Sequence, residues 1–77
     1  MNESIVSTQT LHDKKVEQLK GIQKSLNILE GCKRSLQASR SVMNKYIDHD
    51  DKIYLKELDR LYDSVLNFQG RIKRRYF

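Results

Sequence analysis

The chain has 77 residues, 38% hydrophobic and 32% charged, with no proline, three glycines and a single cysteine. Those figures bound it to one small domain of long, solvent-wetted helices, because a large buried interior and the Gly/Pro punctuation of β-hairpins are both missing. The net charge of +5 is lopsided: Arg71, Lys73, Arg74 and Arg75 supply +4 of it, so the body is nearly neutral and the C-terminal end basic.

Met1 to Thr10 is polar apart from Ile5 and Val6. It reads as a flexible N-terminal segment without the basic and then apolar layout of a signal peptide. No stretch approaches the roughly 18 apolar residues that cross a bilayer, so the expected setting is soluble and cytoplasmic. The hairpin itself is expected over 11–76.

A first helix is predicted over about 11–46, with Thr10 and Asp13 spaced as a capping box that uses the shorter acid. Leu19, Ile22, Leu26 and Leu29 step by three and four residues, as one side of a coiled-coil seam does. Continued in that register, the seam takes in Leu36 and Met43 but also Lys33 and Arg40, with Cys32, Val42 and Tyr46 one residue to the side. The offset predicts either a stutter that shifts the packed face or a seam half that is wet and mobile in isolation.

The turn is expected at 47–50, where Asp48, His49, Asp50 and Asp51 break the pattern. Asp48 or Asp50 is the expected N-cap of the next helix. That helix is predicted over about 51–76 on the clearest heptad in the chain: Tyr54, Leu58, Leu61, Val65, Phe68 and Ile72. Leu55, Tyr62 and Leu66 widen its stripe beyond a strict two-stranded seam, which favours packing against more than one helix.

The short connection makes the two helices antiparallel. The expected fold is therefore all-α: an antiparallel two-helix hairpin of coiled-coil type that completes a helical bundle by dimerisation or partner binding. A lone hairpin covers only one side of each stripe, so the expected partner-binding residues are the seam residues named above, with Lys33 and Arg40 as charges within the seam.

No motif supports catalysis, and no cofactor or metal is expected. Glycine-rich phosphate loops, CxxC pairs and HExxH helices are absent. His12 and His49 have no second ligand at metal spacing, and Asp48–Asp51 lacks the glycine and spaced acids of a calcium loop. Cys32, beside the apolar stripe and far from histidine, reads as a packing residue. Tyr46, Tyr54, Tyr62 and Tyr76 could stack on bases beside the basic end, but the heptad places Tyr54 and Tyr62 in packing roles.

Two runs carry a resemblance. Ser4-Ile5-Val6-Ser7, Gln9 and Thr10, continuing into Leu11-His12-Asp13-Lys14-Lys15-Val16, looks like the opening of the CesAB-type small helical type III secretion chaperones of attaching-and-effacing enterobacteria. Arg60-Leu61-Tyr62-Asp63-Ser64-Val65-Leu66 is similar to a second run of the same family. Together they span about a third of the chain, which is shorter in the middle than that family and lacks its long polar tail.

The resemblance implies a loosely packed homodimer that exchanges one protomer for a helical filament or translocator subunit awaiting export. Lys33 and Arg40 would then weaken self-association, and a substrate with acids opposite them would win.

Two other classes compete. Lys56-Glu57-Leu58-Asp59 and Gly70-Arg71-Ile72 also look like KxDL-type subunits of lysosome-positioning scaffolds, which implies a coiled-coil adaptor. The basic end suits a small nucleic-acid-binding or regulatory dimer, whose binding would fall steeply with salt. The bland account of those cations is that they complement the negative end of a helix dipole.

Overall fold

A computed structural model describes the backbone from Asn2 to Phe77 and the side-chain surroundings from His12 onward. Helix α1 is continuous over Asn2–Tyr46, a 3-10 turn occupies His49–Asp51, and helix α2 spans Ile53–Tyr76. The two helices pack against each other as an antiparallel hairpin, the expected all-α fold. The molecule is a rod of 72 × 17 × 11 Å. Its radius of gyration of 20.0 Å compares with about 11 Å for a compact domain of this length, so most of the surface is wet. Among the described residues no helix is long and apolar enough to cross a membrane.

The boundaries depart from the sequence reading in three places. First, α1 opens at Asn2 instead of near Leu11, so Thr10 and Asp13 lie inside the helix and do not begin it. The expected flexible character of 1–10 falls outside the described residues for Met1 and for every side chain in that segment.

Second, α1 passes Gly31 without a break. Nothing lies within 4 Å of where a Cβ on Gly31 would stand, so this glycine answers no packing demand.

Third, Asp48 caps the 3-10 turn with extended backbone (φ −67°, ψ 153°), whereas Lys52 precedes α2, and neither makes a side-chain capping bond. The chain reverses through backbone bonds instead: Ile47 N–H to the Met43 carbonyl at 2.8 Å, Asp51 N–H to Asp48 at 3.0 Å and Leu55 N–H to Lys52 at 3.0 Å.

The interhelical seam runs in one unbroken register, without a stutter. On α1 it comprises Leu19, Ile22, Leu26, Leu29, Lys33, Leu36, Arg40 and Met43, all buried or half-buried, and it ends on Ile47 in the turn. On α2 the inward residues are Leu55, Leu58, Tyr62, Val65, Gln69 and Ile72.

Half of the expected α2 seam is therefore displaced by one residue. Leu58, Val65 and Ile72 face α1, whereas Tyr54, Leu61 and Phe68 are exposed, and Leu55, Tyr62 and Gln69 take the inner places. The reason is polar matching. This register sets the Tyr62 ring beside Lys33 and the Gln69 amide within hydrogen-bond reach of Glu30 and the Leu26 carbonyl, contacts that Leu61 and Phe68 could not make.

A candidate partner-binding face

Along the seam the polar groups are answered inside the chain. Lys33 is buried, with its ammonium 2.8 Å from the Glu30 carboxylate and 5.7 Å from the centre of the Tyr62 ring. Gln69 is 2% exposed. Its amide donates to the Leu26 carbonyl at 3.2 Å and to Glu30 at 3.3 Å. Its own carbonyl oxygen is buried without a hydrogen-bond partner among the described residues.

Arg40 donates to Asp59 at 2.7 Å on the wetter side of the rod. The Lys33 hydrogen bond holds the Glu30 carboxyl below the usual glutamate range against the opposing effect of desolvation, and the nearby Lys33 charge, Gln69 and Lys73 add to the lowering. Neither seam cation therefore awaits an acid from outside: the acids assigned to a substrate by the sequence reading already stand at Glu30 and Asp59.

The two flanks of the hairpin differ sharply. The residue preceding each seam position turns about 100° to one side. On α1 this row reads Gly21, Ser25, Ile28 and Cys32, then Ser35, Ser39, Val42 and Tyr46, every one exposed and none charged. The same offset on α2 gives Tyr54, Glu57, Leu61, Ser64, Phe68 and Arg71, again all exposed.

Because the helices run in opposite directions, the same 100° offset from their facing seams puts both rows on one side of the rod. The shared cleft near the turn shows it directly: Met43 and Tyr46 of α1 and Ile47 of the turn, with Tyr54, Glu57, Leu58 and Leu61 of α2, line a volume of about 490 Å³. The opposite flank carries Arg34, Gln37, Lys56, Asp59, Asp63 and Lys73, with Leu66 exposed among them.

Large apolar side chains stand open on this less charged side: Tyr46 is 82% exposed, Ile28 65% and Leu61 54%. Contiguous apolar patches of this kind on a protein surface mark docking surfaces. At the far end the guanidinium of Arg71 lies 5.9 Å from the centre of the Phe68 ring. Gln23 of α1 and Lys73, Arg74 and Phe77 at the end of α2 line a shared cleft there.

The expected partner-binding residues thus divide in two. Leu19, Ile22, Leu26, Leu29, Leu36, Met43, Leu58, Val65 and Ile72, with Lys33 and Arg40, line the contact between α1 and α2. Tyr54, Leu61 and Phe68 lie on the open face. Of the α1 half of that face the sequence reading noted Cys32, Val42 and Tyr46 as lying beside the seam but not the row they belong to, a second three-and-four spacing that is uncharged from Gly21 to Tyr46.

Comparison with protein-family models, curated proteins and solved structures returns no match. Fold and site define the class directly: a helical hairpin with one highly charged flank and one flank whose α1 row carries no charge and whose α2 row carries only Glu57 and Arg71 from Tyr54 to Arg71.

Proposed function

We propose that the chain is a small type III secretion chaperone, which holds a helical filament or translocator subunit soluble in the cytoplasm through coiled-coil contacts before export and pairs with itself when free. The observation that carries this reading is the less charged flank, about 38 Å long over 26 residues of α1 at 1.5 Å each, on a hairpin that leaves it open. The resemblance to CesAB-type chaperones in the two runs named above supports it.

Recognition proceeds by burial. A partner helix with apolar residues at three-and-four spacing lays its stripe between the small residues of α1 and the Tyr54–Leu61–Phe68 ridge of α2, the helix-in-groove mode. No catalytic group is required.

Affinity capture of the full chain from its native cell, read by mass spectrometry, is expected to recover a secreted filament or translocator subunit in about equal amount. Purified together, the two should form a 1:1 helical complex in which that subunit no longer polymerises. Recovery of scaffold subunits alone would overturn the export role in favour of the adaptor reading.

A further inference from the structure

The open face is self-complementary about a single two-fold axis. Its α1 row is symmetric in spacing and complementary in size about the point midway between Cys32 and Ser35. Laid antiparallel on a copy of itself, Cys32 meets Ser35 and Ile28 meets Ser39. Further out, Ser25 meets Val42, and Gly21, whose absent Cβ would touch nothing within 4 Å, meets Tyr46. Except in the small central pair, each place sets a small residue against a larger one, which lets two helices approach closely without a void.

The α2 row has its own centre, at Ser64. About it Leu61 comes close to Phe68 of the copy, and Tyr54 to Arg75. The only charges within that row between Tyr54 and Arg71 are Glu57 and Arg71, seven residues on either side of Ser64. They are about 21 Å apart along one helix and cannot pair within a chain. In the antiparallel copy each lands on the other.

The two centres also lie at the same level of the rod. Lys33 stands over Tyr62, Gln69 bonds Leu26 and Arg40 bonds Asp59, so the middle of the α1 row faces Tyr62–Val65 of α2. One axis perpendicular to the helices therefore serves both rows, as an isologous interface requires.

We infer that a second copy of this chain docks on the open face with its turn at the opposite end, giving a four-helix bundle in which α1 packs on α1 and α2 on α2, all neighbours antiparallel. A face about 38 Å long and two helices wide buries on the order of 750 Å² per copy, about 1,500 Å² in total, within the range of stable interfaces. This assignment rests on the reading of the less charged flank as a helix-docking surface and is independent of the export role.

The test is a charge-swap cycle on the full chain, with the dimer constant read by sedimentation equilibrium and helix content by circular dichroism. Glu57→Arg alone and Arg71→Glu alone should each weaken dimerisation about tenfold, because two like-charge contacts replace two ion pairs. Glu57→Arg with Arg71→Glu should restore it to within about twofold.

A second readout uses Cys32. Mixed with a Cys32→Ser/Ser35→Cys chain and oxidised, the natural chain should form the mixed disulfide in preference to either symmetric one. Additive losses in the double swap, a preference for symmetric disulfides, or a chain monomeric at about 100 μM would each overturn the two-fold register. A monomer that still forms the 1:1 complex with an export subunit would end this inference and spare the chaperone reading. A rescued dimer that captures no helical subunit would do the reverse.

Discussion

Lys33 is the residue on which the energetics of the seam can be tested most sharply. Its side chain is 9% exposed at a position flanked by Leu29 and Leu36, and its ion-pair partner Glu30 is 44% exposed. The ion pair is made with a carboxylate open to water and contributes little, and the ring contact with Tyr62 contributes about 0.5–1 kcal/mol. Against them stands desolvation of the ammonium, and the apolar stem already recovers part of what a leucine would.

A leucine there buries a full side chain, about 1.5–3 kcal/mol in transfer terms, and removes the buried charge. Lys33→Leu is therefore expected to stabilise the chain by about 1 kcal/mol, a rise in Tm of roughly 4–8 °C for this size. Lys33→Ala loses the stem and opens a gap under Tyr62, at a cost of about 2 kcal/mol. Thermal unfolding by far-UV circular dichroism at neutral pH and one fixed concentration separates the two variants. A Lys33→Leu chain that melts below the natural one would refute the argument, because it would make the ammonium itself the stabilising group.

Three further outcomes follow from the same structure. Gln69→Leu removes a buried carbonyl oxygen without a partner and two long hydrogen bonds, with a net gain of about 1 kcal/mol; guanidinium unfolding that moved to lower midpoint would contradict it. Gly31→Ala should add about 0.5–1 kcal/mol of helix stability without changing self-association, whereas Gly21→Leu should keep the helix and weaken the dimer, since Tyr46 of the copy would occupy its place.

Glu30 is ionised below the usual glutamate range when folded. Its contribution is complete above its unfolded value of about 4.3 and is lost as pH falls through the lowered folded value. Glu30→Gln should therefore flatten the fall of Tm with acid below about pH 4.3, and an unchanged acid limb would exclude Glu30 as a source of it.

The helices, their antiparallel pairing and the turn were legible in the chain because each is set locally. A three-and-four spacing of apolar residues, a missing proline and four consecutive polar residues between two stripes act over a few residues at a time. Even the α1 seam was readable through Lys33 and Arg40, since its spacing never changes.

What remained open was which edge of a wide stripe turns inward. Tyr54, Leu61 and Phe68 are as apolar as Leu55, Tyr62 and Gln69 or more so, and spacing alone favours the former. The choice belongs to the contact between helices, where Gln69 reaches the Leu26 carbonyl and Glu30, Tyr62 covers Lys33 and Asp59 meets Arg40. Sequence by itself determined that two stripes exist and that one hairpin is too narrow to cover them. Only the tertiary structure decided which row is covered, because the choice is made by groups on the facing helix, which no spacing within α2 records.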